Sequence, residues 1–518
     1  MLHRALELGL NAIVLETGHG PGGTWYWNRY PGARFDSESY SYGYSFSKEL
    51  LAEWDWSEHF AAQPETLRYL NHVVERFRLR DHMRFDSQVE GAEFIDASNQ
   101  WRVRLVGGEV FTTRFLITAI GMLSAATLPH YEGMDTFQGE SFHTYYWPQR
   151  GLNLAGAKVG VVGTGATAVQ LIPEVAKEAG HLTVFQRRPN WCAPLHNGPI
   201  DAETMRQIKN QYEEIFDRCA QTPGGFLHGP DYRDCDALSA AEKQHFWEEL
   251  YRSSGFRKWL GNFVKVLIKA DANAEYSDFI ANKIRQRLND PQTATKLIPT
   301  DHGFGTRRVP LETQYYEAFN RDTVELVDLN ETPITRVTAL GIQTTARDHP
   351  FDIIVYATGF DAITGSFDRI AFEGLNGKTL REKWQAGPRT LLGLQTAGFP
   401  NLLTLAGPQS ASVGTNFPRG IEDAVDWTAD LLSYMRAHEL HRVEATEAAE
   451  DEWTELVRES YDGMLLSDVK SWFNGYNSNV PGHDGDRYLV YFGGAPEYRQ
   501  RLAAIAANDY EGFRLSKH

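Results

Sequence analysis

The chain opens on a helical pattern. Leu2, Leu6 and Leu8 are apolar among His3, Arg4 and Glu7, and Gly9 punctuates the run before NAIVLE (11–16), which predicts a short buried strand. A fuller copy of the pattern lies further on. KVGVV (158–162) predicts a strand, 163–168 a glycine turn, 169–179 a helix, and LTVFQ (182–186) a second strand. Laid without a gap on 171–186, residues 1–16 match helix to helix and strand to strand. The first unit then lacks a counterpart of 158–170, and the expectation is that the chain begins inside a βαβ unit. Between the two units, the pattern predicts a Gly- and aromatic-rich loop (18–44), a helix near 64–77 and strands at 88–95, 101–106 and 110–119. These strands read as an antiparallel ribbon returning to the main sheet. A Pro/Gly linker covers 128–155. Residues 201–291 are helical and charged, as at 241–252 and 278–287, and read as an insertion. Strands return at 323–327 and 352–357, and a helix is predicted at 421–436.

Composition narrows the class. The 518 residues carry a net charge of −17, which repels polyanions and argues against nucleic acid as the main partner. Cys192, Cys219 and Cys235 form no C-x-x-C, which excludes a disulfide framework, a cysteine zinc site and a dithiol redox pair, and fits a reducing cytoplasm. No stretch reads as a membrane span. No H-E-x-x-H or carboxylate cluster suggests a metal, and no G-x-S-x-G suggests a hydrolase.

The glycine turn carries the first chemical signal. Gly163-Thr164-Gly165-Ala166-Thr167-Ala168 follows a strand and opens a helix through Gln170. The first Gly permits the turn, the second lets a pyrophosphate approach the backbone, and Ala168 lets helix pack on strand. The next strand ends in Arg187-Arg188 rather than an acid, which suits the 2′-phosphate of NADP. The first unit ends its strand in Glu16, which suits the unphosphorylated ribose of FAD. The predicted fold class is therefore α/β, with two dinucleotide-binding, Rossmann-like domains and a helical insertion. Its expected divisions are an FAD part at 1–135, an NADP part at 136–200, the insertion at 201–292, a second NADP part at 293–362 and a second FAD part at 363–518.

Phe137-x-Gly139-x-x-x-His143-Thr144-x-x-Trp147-Pro148 resembles the fingerprint of type I Baeyer–Villiger monooxygenases, and GGTWYWNRYPGARFDSESY (22–40), FQRRPNW, FGTRR, ATGFD and SWFNGYN follow in the family's order. The resemblance covers essentially the whole chain. It implies an NADPH- and FAD-dependent enzyme that uses O2 to turn a ketone into an ester or lactone through a C4a-peroxyflavin. By the same resemblance, Arg308 stabilises the oxygen anion and Asp36 positions it. Arg307 stands where a lysine usually meets the 2′-phosphate, and Trp472 matches a tryptophan that closes on the nicotinamide ribose. Gly23, Thr24, Trp25, Tyr42, Val89 and Phe417 match flavin-side positions, and His143 couples domain motion. The partners implied are a small ketone and O2, in a cytoplasmic monomer or weak homo-oligomer. The alternatives are a flavin monooxygenase acting on nitrogen or sulfur, an NADPH oxidase, and a flavin-deficient remnant without activity.

Overall fold

A computed structural model of the protein describes residues 1–517. The second unit folds as a parallel five-stranded sheet in the order Val324–Asp328, His181–Gln186, Lys158–Val162, Ile353–Tyr356, Glu140–His143. Strand Lys158–Val162 sits in the middle, and Val159 and Val161 are buried because the sheet is covered on both faces. The helix Ala166–Glu178 packs Ala168, Val169, Leu171, Ile172, Val175 and Ala176 into the core at helical spacing.

The first unit is assembled from both ends of the chain. Val14–Leu15 pairs with Met83–Arg84, and Leu116–Thr118 with Leu402–Thr404, each pair parallel. Among the described residues no strand joins these two pairs. A ribbon of Val89–Ile95, Gln100–Leu105 and Val110–Thr113 is antiparallel as predicted, and Ala371–Glu373 adds a parallel edge. The insertion between the strand pair Ala193–Pro194 and Leu311–Glu312 contains helices including Ala202–Asn210, Tyr212–Gln221, Ala240–Arg252 and Ala270–Arg285.

Four expectations need correcting. The strand read over 110–119 breaks between Val110–Thr113 and Leu116–Thr118, where the chain leaves the ribbon for the parallel pair with Leu402–Thr404. The strand read over 11–16 shortens to Val14–Leu15, which has a partner on one edge only. The helix read from 278 starts at Ala270, because Asn273 in its polar first turns is satisfied by the carbonyls of Val266 and Phe304. The linker holds a strand, Glu140–His143, made regular by pairing with Ile353–Tyr356 some two hundred residues away.

Candidate active site

The two units meet at a loop from each. In the first, Phe35 stacks on Tyr42 at 4.3 Å, which fixes the turn that points Asp36 inward. In the second, FGTRR runs past the insertion, and at Gly305 (φ +79°) a Cβ would come within 2.7 Å of the Trp259 indole nitrogen. Arg308 Nη2 donates to Asp36 Oδ2 at 2.7 Å. The Asp36 side chain is 2% exposed and that of Arg308 34%. Asn190 Nδ2 holds the Arg308 carbonyl at 3.2 Å, and the Phe256 ring lies 5.8 Å from the guanidinium carbon. Burial pushes the Asp36 carboxyl up, and the Arg308 charge opposes that shift. Arg308 Nη1 and Asp36 Oδ1 are buried with no protein partner. The result is a fixed positive charge whose remaining donor is free for an anionic oxygen.

The flavin-side residues divide into two groups. Trp25 is buried, donates to the Tyr42 hydroxyl at 3.0 Å and lies edge-on to Phe35, so both rings are core. Gly23 (φ +49°) and Thr24 face open space beside them. Glu16 follows directly on its strand, with Oε1 accepting from Gly18 N–H at 2.7 Å, and burial raises its pKa. Val89 begins its strand and Phe417 the helix Phe417–Ala437, both half-buried. An acid at a strand end and an open glycine edge fit a flavin nucleotide's ribose and ring. Among the described residues, this unit shows no counterpart of the Gly163–Gly165 turn.

That turn is well formed in the second unit. At Gly163 (φ +112°) a Cβ would fall 2.5 Å from the Ala357 carbonyl, whereas one at Gly165 would meet nothing. The helix N-terminus at Ala166 and Thr167 is therefore open to an anion. Thr164 Oγ1 donates to the Arg188 carbonyl at 2.9 Å, which ties the turn to the arginine pair. Gln170 spends its amide elsewhere, donating to the Arg34 carbonyl and accepting from the Tyr30 hydroxyl, both at 2.9 Å, so it joins the two units. Arg187 Nη1 donates to Ser478 Oγ at 2.9 Å. Arg188 and Arg307 share Asp301 Oδ2 at 4.0 and 3.4 Å, and Arg307 Nε is buried without a partner. Two guanidiniums on one carboxylate, with Arg187 next in the chain, fit a phosphate dianion. Sequence reasoning missed Asp301, Ser478 and Trp259. Only Asp301, beside FGTRR, carried a local signal.

The fingerprint is packing made regular. A Cβ at Gly139 would lie 2.3 Å from the Asp352 carbonyl and 2.5 Å from Phe137 Cζ. His143 Nδ1 accepts from Tyr145 N–H at 3.0 Å, and its ring stands edge-on to Phe360 at 5.4 Å. Trp147 is buried edge-on to Phe142 at 5.1 Å, and the half-buried Pro148 follows it. Burial pushes the His143 pKa down to about 4 from 6.5. The unfolded chain binds a proton near the higher value and the folded chain only near the lower. Acidification from about pH 6.5 to 4 therefore favours unfolding, and the stability present above 6.5 is lost. His143→Asn, whose Oδ1 can still accept from Tyr145, is expected to lose roughly 1–2 kcal/mol less than the wild type between pH 7.5 and 5. Urea midpoints at the two pH values check this.

Trp472 is half-buried, 4.2 Å from Phe473, and packs with Trp259 against a cluster that includes Ile363. Asp361, Asp368 and His483 gather nearby as the one group of potential metal ligands among the described residues.

Two nucleotide-type α/β units with an arginine–carboxylate pair at their junction define a two-dinucleotide oxidoreductase. No model of a protein family matches the chain. It is 45% identical over 516 residues to 2-oxo-Δ3-4,5,5-trimethylcyclopentenylacetyl-CoA monooxygenase of Pseudomonas putida, covering 98% of this chain and 95% of the relative. It is 40% identical over 525 residues to a phenazine N-monooxygenase of Lysobacter antibioticus (99% and 94%) and 37% over 506 residues to a Baeyer–Villiger monooxygenase of Pseudooceanicola batsensis (97% and 91%). The crystal structure of OTEMO in complex with FAD and NADP superposes with a TM-score of 0.95 at 44% identity, covering 99% of this chain and 96% of that one. The chain belongs to the type I Baeyer–Villiger monooxygenase family.

Proposed function

We propose that the protein uses NADPH and O2 to convert a ketone to an ester or lactone: ketone, NADPH, H⁺ and O2 give ester, NADP⁺ and water. The observation that carries this reading is the half-exposed Arg308 held by buried Asp36 where the two units meet. FAD, when bound, supplies the reduction and activation of O2. Glu16, Gly23 and Thr24 would hold it, and Trp25, Tyr42, Val89 and Phe417 would shape its surroundings. The turn from Gly163 to Ala168 with Arg187, Arg188 and Arg307 would hold NADP(H), with Trp472 beside it. Arg308 would donate to the reacting oxygen as negative charge develops, and Asp36, an acceptor only, would keep that donor aimed without moving a proton. Phe256 and Trp259 add apolar walls that limit water. We further propose the domain divisions given above, with Thr144–Pro148 as the crossing between units.

The three free cysteines are buried, and among the described residues no helix is long and apolar enough to cross a membrane. Both observations support a cytoplasmic enzyme, and we propose a monomer or weak homo-oligomer. The test is turnover of a small cyclic ketone under labelled O2. The expected result is a lactone carrying one labelled atom, with one NADPH consumed per product. A similarity to a phenazine N-monooxygenase favours a second reading, oxygen transfer to an aromatic nitrogen. An N-oxide formed from phenazine with no lactone from any ketone would replace the first reading. H2O2 equal to NADPH whatever is added would leave only an oxidase.

A further inference from the structure

The chain following Trp472–Asn474 lies across the exit of strand Ile353–Tyr356. Asn477 Nδ2 donates to the Phe360 carbonyl at 2.9 Å and Asn479 Nδ2 to that of Thr358 at 3.4 Å. The segment they hold also carries the ring that His143 touches. Further along, His483 Nδ1 stands 3.1 Å from Asp361 Oδ1, and Arg487 Nη1 lies 2.8 Å from His483 Nε2. Arg487 Nη1 is also 3.4 Å from His483 Nδ1, so the guanidinium nitrogen lies against the imidazole between its two ring nitrogens. The ring is held between arginine and aspartate.

The surroundings favour a clasp over a metal site. Asp361, Asp368 and His483 bring their ligand atoms within 4.8 Å of one another, but Arg487 faces the histidine, and Arg381 lies 3.8 Å from Asp368. Two guanidiniums already balance the two carboxylates. Arg487 is itself anchored: its N–H donates to the Asn474 carbonyl at 2.9 Å and its Nη1 to Thr364 Oγ1 at 3.2 Å. At Gly475 (φ +80°) a Cβ would lie 2.8 Å from Arg487 Cβ, so the turn closes tightly on that side chain. Asn477 N–H donates to the His483 carbonyl at 2.8 Å, so the segment between them is closed into one piece. Ser478, which meets Arg187, belongs to that piece.

We propose that His483 is a positioning residue. It ties residues 475–487 to Asp361, with Arg487 at the segment's end packed against its ring, and so seats Ser478 against the arginine of the nucleotide site. The nucleotide side of this statement rests on the function proposed above; the clasp does not. Leucine at 483 would break both contacts, lysine would keep Asp361 and repel Arg487, and glutamine would retain one donor and one acceptor.

The experiment is amide hydrogen exchange on the full protein without added nucleotide, alongside NADP⁺ binding by titration calorimetry. His483→Leu is expected to speed exchange over 475–487 about tenfold, with strand Lys158–Val162 unchanged, and His483→Gln to stay within about twofold of wild type. NADP⁺ affinity should fall about fivefold in the leucine variant and recover in the glutamine variant. Unchanged exchange over 475–487 in His483→Leu overturns the clasp, whatever the affinity does. Faster exchange with unchanged affinity upholds the clasp and counts against the nucleotide reading of Arg187 and Ser478. Should leucine loosen the whole protein, His483→Lys decides: about threefold faster local exchange supports the clasp, and wild-type exchange overturns it.

Discussion

Arg308→Ala is expected to lower ester formation by about 10²–10³ or more, while NADPH oxidation continues and its electrons appear as H2O2. The split follows from the placement of the charge. The Arg308 guanidinium bonds Asp36, and its backbone carbonyl, held by Asn190, survives truncation, so the contacts of the neighbouring Arg307 and of the 163–168 turn are left in place. What disappears is Nη1, a donor that is desolvated and unpaired where Arg308 meets Asp36. A dry, preoriented donor needs no reorganisation as charge develops, which is why its loss falls on the oxygen-transfer step. The substitution also leaves Asp36 buried without its cation, a change that costs about 3–5 kcal/mol when a buried pair loses one member. Arg308→Ala/Asp36→Ala removes that strain. It should restore much of the stability while leaving ester formation as low as in the single variant. Product analysis, peroxide assay and urea unfolding on the three proteins check the set, and ester formed at the wild-type rate by Arg308→Ala would defeat the assignment.

What the sequence made legible was local. Residues 158–186 read correctly in order and type, with the helix starting at Ala166 rather than 169, because strand, turn and helix each follow from neighbours within a few positions. Asp36 and Arg308 could be named from motif resemblance, but their 2.7 Å contact joins residues 272 apart. Glu140–His143 looked like linker because its regularity comes from Ile353–Tyr356. Trp25 matches a flavin-side position by motif, but its indole donates to Tyr42 inside the core. Gln170 is similar. On a helix pattern it belongs to the nucleotide turn, but at Gly32 (φ +83°) a Cβ would sit 2.4 Å from the Gln170 carbonyl, so the first unit's loop occupies that face. Residues whose partners come from another unit are the ones a single strand of text hides.

The nucleotide site shows how structure redistributes a sequence-level expectation. Arg187 and Arg188 are exposed, and one of them is engaged by Ser478. Arg307 is 17% exposed, with its Nε buried and unpaired. A charged hydrogen bond from a desolvated donor is worth about 1.5–3 kcal/mol, and one made in water much less. Arg307→Ala is therefore expected to raise KM for NADPH about 10- to 100-fold, with KM for NADH moving less than about threefold. Arg187→Glu should produce the same preference to a smaller degree, and more weakly at high salt, because an exposed charge is screened. Asp301 supplies the opposite sign. Its carboxylate occupies the space between Arg188 and Arg307 that a 2′-phosphate would share, so Asp301→Asn should lower KM for NADPH a few-fold and leave NADH unchanged. Steady-state kinetics with both coenzymes at two ionic strengths separate these effects. Equal changes for NADPH and NADH in Arg307→Ala would mean that the three arginines hold the fold rather than the phosphate.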